Sequence, residues 1–557
     1  MYSTNCKKKL QRKSDSTTPT APLRPYKRNY NAANEHIIQT IHKMAKIQMI
    51  LTCLASFLVL SFLFTGVSCN PHKHQCSQTP YPKHCEYYLR DYASENETNI
   101  FEVSKKVALD HAMKAKAYIA SLGPKCKNGR EKAAWADCVE LYDDMVERIS
   151  TTIDPLTKCT ASDEQTWLSA ALTNIDTCLN GFIEFNVIDN IYPLLSSNTS
   201  QLISNTLALS KYNSTHEDAT TNKDGFPTWV KPGDRKLLQS PSPGARADIV
   251  VAVDGTGNYK KVGEAVAAAA ATRRTGSKRI VIHVKAGTYT ENVEIGKKLK
   301  YITMFGDGIE RTIITGRRSV GGGFTTFKSA TFAAVGEGFI CRGIRFINTA
   351  GAANHQAVAL RSGSDHSVFY QCSFEGYQDT LYVHSNRQFY RDCNIYGTVD
   401  FIFGNAAVVI QNSNIYARNP PAGTNTITAQ GRKDPNQNTG ISIHNSRVAG
   451  ATGLSGSAKT YLGRPWKLYS RTVFMKTSLG SLIAPEGWLP WDGPFALNTL
   501  YYGEYLNSGP GASTNRRVRW GGYHVITSAA DASKFTVSSF LGGTSWLPTG
   551  VPVTPGL

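Results

Sequence analysis

Two aspartates, two glutamines and an arginine have the residue types and the spacing to form a reactive centre that needs no Ser-His pair. Asp379 stands in Gln378-Asp379-Thr380-Leu381, Asp400 opens Asp400-Phe401-Ile402-Phe403-Gly404, and Gln356 follows His355. Asp400 lies 21 residues after Asp379, and Gln378 lies 22 after Gln356. If one such interval is one turn of a coil, residues one interval apart stack at about 4.8 Å. Two apposed carboxylates do not both ionise cheaply, so one keeps its proton while a nearby cation holds the other charged. Arg464, in Leu462-Gly463-Arg464-Pro465-Trp466, is the natural cation. A nucleophile and an acid then come from one residue type, and the amides of Gln356 and Gln378 can donate to a developing oxyanion. The competing structural reading makes the aspartates turn caps and the glutamines an internal amide ladder.

The elements that would position these groups repeat with the same interval. Phe369-Tyr370-Gln371-Cys372 is echoed by Phe389-Tyr390-Arg391-Asp392-Cys393, and Val409-Ile410-Gln411-Asn412-Ser413 follows. A period of roughly 20–29 residues with short β-branched and aromatic runs predicts a stacked solenoid. Short strands such as Arg279-Ile280-Val281-Ile282-His283-Val284, separated by Gly, Asn and Asp turns, extend it over residues 248–557. The stacking also brings Cys372 within disulfide reach of Cys393. Trp466 and Tyr289 are either core aromatics or the lining of a sugar-binding cleft. Asp254-Gly255-Thr256-Gly257 lacks the Lys-Ser/Thr ending of a phosphate loop and reads as a turn.

The 557 residues carry a net charge of +19, unevenly placed. Residues 1–46 hold 10 Lys+Arg against 2 Asp+Glu, residues 47–238 hold 18 against 22, and residues 239–557 hold 33 against 18. An acidic middle beside a basic C-terminal part predicts two bodies that attract each other, and a polyanionic partner for the basic one. That partner is not nucleic acid, since no zinc-finger spacing or basic helix is present. Residues 1–46 read as a disordered basic tail. Ile50 to Val67, preceded by Lys43 and Lys46, reads as a signal peptide or signal-anchor within residues 47–69, against a buried core helix. The chain is therefore expected in the secretory pathway, which suits sequons at Asn96, Asn198 and Asn213.

Between these parts, residues 70–220 have the helical period. Apolar side chains at 134, 138, 141, 142, 145 and 149 form one face, and Leu168, Leu172, Ile175 and Leu179 another. A helical bundle is predicted. Its cysteines, Cys76, Cys85, Cys126, Cys138, Cys159 and Cys178, are expected to pair in an oxidising compartment. Residues 221–247 have linker composition and contain Arg235-Lys236-Leu237-Leu238, read as a processing site rather than a solvated basic pair.

The helical part resembles the plant invertase/pectin methylesterase inhibitor family. The likeness rests on Cys76 and Cys85, on Asp137-Cys138-Val139-Glu140-Leu141-Tyr142, and on Thr166-Trp167-Leu168-Ser169-Ala170-Ala171-Leu172 running to Cys178. It implies a four-helix bundle with bridges Cys76–Cys85 and Cys138–Cys178, leaving Cys126 and Cys159 outside the pattern. The C-terminal part resembles the plant pectin methylesterases. Gly287-Thr288-Tyr289-Thr290-Glu291 and Thr325-Thr326-Phe327-Lys328-Ser329-Ala330-Thr331 join the motifs already quoted. This resemblance implies a mainly β fold, a right-handed parallel β-helix, that removes methyl esters from homogalacturonan in the cell wall. It makes Asp400 the nucleophile and Asp379 the acid and base, with Gln378 and Gln356 steadying the intermediate. Arg464 would orient Asp400, and Thr326 and Trp466 would contact substrate. It implies no cofactor or metal, a monomer, and methyl-esterified pectin as partner. The chain's own helical domain, a subtilisin-like processing protease and separate inhibitor proteins would be further partners. Cys341 is expected as a buried free thiol. The rival classes are a β-helix glycoside hydrolase, a calcium-dependent pectate lyase and a wall-binding solenoid without activity.

Overall fold

A computed structural model describes residues 43–44, 46–50, 71–90, 99–187, 198–212, 247–272, 279–548 and 550–557. Residues 1–70 and 71–557 form two separate units. Nearly all of the basic tail and of the apolar run, and Asn96, Asn213 and Arg235–Leu238, lie outside the described residues. Among the described residues no helix is long and apolar enough to cross a membrane.

The second unit begins with helices. Short helices α1 (Pro71–Cys76) and α2 (Pro82–Arg90) precede α3 (Ile100–Leu122), α4 (Gly129–Thr151), α5 (Ala161–Glu184) and α6 (Thr199–Leu209), which pack as a four-helix bundle. Their starts are written in the sequence. Asn99 caps α3, Asn128 caps α4, and Thr160 with Asp163 forms a reciprocal capping box on α5. Cys76–Cys85 ties α1 to α2, and Cys138–Cys178 ties α4 to α5, as the inhibitor resemblance implied. Cys126 and Cys159 are free thiols, so the wider expectation of pairing does not extend to them. Asn198 stands at the start of α6 and donates its amide to the Tyr88 hydroxyl at 2.7 Å.

From Ile249 the chain winds as a right-handed parallel β-helix of three sheets, with 11, 7 and 8 strands, every pairing parallel. Helix α7 (Val262–Thr272) packs against the first coils. Inside the coils, apolar side chains stack one strand above the next. Phe369 lies on Tyr390 with ring centroids 4.7 Å apart, and Phe346 on Phe374 at 5.9 Å. Tyr289, left open by the sequence, belongs to this core and donates its hydroxyl to the Lys285 carbonyl. At one corner of every coil the backbone turns through a left-handed residue, in the series Gly343, Gln371, Asp392, Asn412 and Asn445. Asparagine tolerates that conformation, and the ladder is joined by Asn445 donating to Asn412 and Asn412 to Asp392.

One expectation is corrected here. Cys372 and Cys393 do not form a disulfide; both are buried free thiols, as is Cys341. They do occupy equivalent positions on successive coils, because Ser373 pairs with Asn394. Stacked equivalents point the same way, which leaves their Cβ atoms about 4.8 Å apart, whereas a disulfide draws them to ~3.8 Å. The Cys372 thiol instead lies 3.7 Å from that of Cys341.

The helical bundle rests on the seven-stranded sheet. Leu141, Ile175 and Phe182 share one apolar cluster with Phe327, Val358, Tyr382, Phe403 and Ala429. Charge complementarity surrounds it: Lys328 pairs with Glu140 (2.6 Å), Arg387 with Asp163 (2.6 Å), Lys467 with Asp176 (3.2 Å), and Lys297 with Asp143 and Glu147. The acidic and basic parts foreseen from the charge distribution are joined through these pairs.

Candidate active site

Asp379 and Asp400 occupy the same corner of consecutive coils. Leu381 pairs with Ile402, and both aspartates take left-handed backbone conformations, φ 62° and 52°. Such residues are uncommon away from glycine and gather at sites where the fold over-determines them. Here the parallel ladder fixes them, since the amide of Asp379 donates to Val399 and that of Leu381 to Phe401.

The two carboxylates have different surroundings. Asp400 receives a two-pronged contact from Arg464, Nε to Oδ1 at 2.8 Å and Nη2 to Oδ2 at 2.7 Å. The Thr426 hydroxyl donates to Oδ1 at 2.6 Å while accepting the Asp400 amide at 2.9 Å. This paired guanidinium geometry holds a carboxylate charged and fixes its orientation. Among the described residues no guanidinium pairs with Asp379 in this way. Burial first, then the charges of Asp400 and Glu184, push its carboxyl well above the ordinary range, and Arg464 only partly opposes this. The pair is therefore unequal: a guanidinium grips Asp400 through both oxygens, whereas Asp379 sits where burial and neighbouring charges favour its protonated form.

These groups line a pocket of about 260 Å³ with Thr326, Gln356, Gln378 and Trp466. All seven residues singled out from the sequence for catalysis and substrate contact thus come together. The sequence reading missed Thr426, Tyr382, Phe403 and Trp491. Tyr382 and Phe403 are 21 residues apart and stack at 4.2 Å, so the interval that identified the aspartates would have found them. Trp491 faces the Arg464 guanidinium at 4.4 Å; it lies outside the repeat and leaves no comparable signal.

The other wall of the pocket is helix α5, through Thr177, Asn180, Gly181 and Glu184. Glu184 Oε2 accepts the Thr326 amide at 3.0 Å. Burial pushes the Glu184 carboxyl up, opposed by the Thr326 amide. Asp137 on α4 is held by the Thr325 hydroxyl and, being buried, is pushed up to about 7. One wall of the pocket is thus supplied by the helical part of the same chain.

Comparison with known proteins divides the chain in the same way. Residues 248–544 match the pectinesterase family, and residues 71–209 match the family described as plant invertase/pectin methylesterase inhibitor. A probable pectinesterase/pectinesterase inhibitor 17 of Arabidopsis thaliana is 60% identical over 517 residues, covering 90% of this chain and 99% of the relative. Pectinesterase 2 of Citrus sinensis is 58% identical, covering 92% and 100%. Among solved structures, pectin methylesterase from carrot is similar at a TM-score of 0.55 and 57% identity, over 56% of this chain and 98% of that one.

Proposed function

Because the chain belongs to the pectinesterase family and carries a plant invertase/pectin methylesterase inhibitor domain ahead of the β-helix, we propose that it hydrolyses methyl esters of homogalacturonan through an aspartyl acyl-enzyme. The observation that carries this reading is the unequal pair: Asp400 gripped through both oxygens by Arg464, beside Asp379, whose carboxyl burial pushes well above its ordinary range.

In the first step an Asp400 oxygen attacks the ester carbonyl carbon of a galacturonate unit. The tetrahedral oxyanion takes hydrogen bonds from the Gln356 and Gln378 amides, which line the pocket. The carbon–methoxy bond breaks and the Asp379 proton goes to the departing oxygen, giving methanol and an acid anhydride on Asp400. Asp379, now a carboxylate, takes a proton from water, and the hydroxide attacks the uronyl carbon of the anhydride. The bond to Asp400 breaks, restoring its carboxylate and releasing the free uronic acid, with the proton left on Asp379. Thr326 and Trp466 are assigned to substrate contact. An inverting glycosidase pair leaves room for water between its carboxylates; two aspartates stacked one coil apart favour direct attack instead.

The helical domain fits the role of a restraint on this site. Its helix α5 shares the pocket with the reactive pair, and Glu184 occupies the Thr326 amide that substrate would meet. Severing the chain at Arg235–Leu238 by a subtilisin-like protease would leave the domain held only by non-covalent contacts. A leader within residues 47–69, the sequons and the family support the cell wall as the place of work.

The experiment is methanol release from highly methylated pectin by the intact chain and by the chain cleaved in the linker, each with Asp400→Asn as control. Release by the cleaved form alone, lost in Asp400→Asn, is expected. Equal release by both forms would remove the restraint, and ordinary release by Asp400→Asn would remove the nucleophile.

A further inference from the structure

Asp379 and Asp400 are two members of a longer row. Leu381 pairs with Ile402, and Ile402 with Thr428, across three consecutive coils. The residues two places back on each strand, Asp379, Asp400 and Thr426, therefore share one corner. Along the solenoid axis Asp400 is flanked by a carboxyl on one side and a hydroxyl on the other. The interval from Asp400 to Thr426 is 26 residues instead of 21, which hides the third member from a search at constant period.

The Thr426 hydroxyl engages Asp400 twice. It accepts the main-chain amide at 2.9 Å and donates to the carboxylate Oδ1 at 2.6 Å. Arg464 Nε also donates to Oδ1, at 2.8 Å. Among the described residues Oδ2 receives Nη2 of Arg464 alone, at 2.7 Å. A carboxylate oxygen offers two lone-pair directions. Both are taken on Oδ1 and one stays open on Oδ2, so the two oxygens of one carboxylate are made different. Thr426 is 1% exposed and does not line the pocket, which keeps it out of a substrate's reach. A purely structural role, steadying the left-handed backbone at Asp400, would need only the amide contact. The hydroxyl proton directed at Oδ1 is a second and separate feature.

We propose that Thr426 is a positioning residue for the nucleophile: it occupies Oδ1 and leaves the open lone pair of Oδ2 to attack the ester carbon. The inference rests on the esterase reading above. The new bond forms from that lone pair to the carbonyl carbon, and the methoxy oxygen leaves with the Asp379 proton as methanol. Oδ1 becomes the carbonyl oxygen of the anhydride and keeps its hydrogen bonds. In the second step the bond between Oδ2 and the uronyl carbon breaks, and its electron pair returns to Oδ2 as carboxylate. A misplacement of about 1 Å at a reacting atom costs about 10²-fold in rate. A buried hydroxyl without substrate contact thus acts on turnover and not on binding.

The test is methanol release from highly methylated pectin by the chain cleaved in the linker. Turnover number and KM are determined separately for the unaltered sequence, Thr426→Val and Thr426→Ser. Thr426→Val removes both hydrogen bonds, and its turnover number is expected to fall about 10- to 100-fold, the range for a lost hydrogen bond to a charged group, with KM within about twofold. Thr426→Ser keeps the hydroxyl and should stay within about threefold of the unaltered turnover number. An unreduced turnover number in Thr426→Val, a change carried by KM, or equal losses in Thr426→Val and Thr426→Ser would each overturn the proposal. If the thermal midpoint shows that Thr426→Val does not fold, Thr426→Cys, which retains only a weak donor, takes its place and the same split of turnover number and KM decides. No methanol from the unaltered cleaved chain overturns the esterase reading and this role with it. Methanol undiminished in Thr426→Val overturns the role of Thr426 alone.

Discussion

Glu184, the last residue of helix α5, accepts the main-chain amide of Thr326, 142 residues away, with 3.0 Å between oxygen and nitrogen. This single contact places a carboxylate of the helical domain beside Asp379, whose own carboxyl is raised in part by that charge. The helical domain thus reaches the candidate site at this point, and the contact can be removed without altering any residue of the β-helix.

Glu184→Ala should loosen the helical domain while leaving the reactive pair intact. A hydrogen bond to a charged group contributes about 1.5–3 kcal/mol, so the mutual affinity of the two parts should fall roughly tenfold or more. Intact Glu184→Ala chain should release methanol measurably faster than unaltered intact chain, with both equal after the helical domain is cleaved and washed away. An unchanged rate in the intact form would show that Glu184 does not contribute to closure.

The same interface should respond to pH. Asp137 is pushed up to about 7, chiefly by burial, and faces Thr325, Lys328, Glu140 and Arg361; Glu184 is raised as well. A carboxyl raised in the docked state binds a proton more tightly there than when released. Its contribution to docking is complete below its ordinary value and is lost as pH rises through the raised one. For Asp137 that window runs from about 4 to about 7 and is worth at most roughly 4 kcal/mol. Asp163 and Asp176, paired with Arg387, Lys433 and Lys467, are lowered, so their opposite effect falls below the ordinary carboxyl range. Restraint should be tighter near pH 4.5 than near pH 7.5 by about tenfold or more. The ratio of methanol release by cleaved and intact chain, measured at both values, checks this; a ratio that grows towards neutral pH contradicts it.

Arg464 fixes the charge and direction of Asp400 through both oxygens. In Arg464→Gln the Asp400 carboxylate loses the guanidinium that orients both of its oxygens. The turnover number should fall by about 10²–10³, equivalent to roughly 3–4 kcal/mol of transition-state stabilisation. Arg464→Lys should recover part of the charge effect but not the two-pronged geometry. Initial rates of the three cleaved forms, compared at equal thermal midpoints, check this; an Arg464→Gln turnover close to that of the unaltered chain would contradict it.

Much of the site was legible because a solenoid converts sequence interval into spatial adjacency. Once Asp379 and Asp400 are read as one coil apart, their apposition follows, as do those of Gln356 with Gln378 and Phe369 with Tyr390. Arg464 was legible for a different reason, as the one strong cation in a motif that two carboxylates require. What the interval cannot encode is contact between the two folds. Glu184 ends an ordinary amphipathic helix, and Asp137 reads as a helix-face acid; only docking brings one to the Thr326 amide and raises the carboxyl of the other. Trp491 escaped because it lies in an irregular segment between strands. The disulfide expectation failed because the interval reports proximity and not the direction of the Cβ atoms.

That failure gives the last prediction. Cys341, Cys372 and Cys393 are buried thiols in the β-helix interior, and burial raises the Cys341 and Cys393 thiols well above their ordinary value. For Cys372 burial is outweighed by hydrogen bonds with Cys341 and Cys393, which lower its thiol, but all three side chains are fully buried and out of a reagent's reach in the folded chain. In the native chain without reductant these three cysteines should therefore remain unlabelled by iodoacetamide. In denaturant, still without reductant, all three should label completely, while Cys76, Cys85, Cys138 and Cys178 should label only after reduction. Peptide mass mapping reads each site by itself. A reductant-dependent label on Cys372 and Cys393 together would restore the bridge that the stacking geometry disfavours, and would require the two Cβ atoms to approach by about 1 Å from their strand spacing.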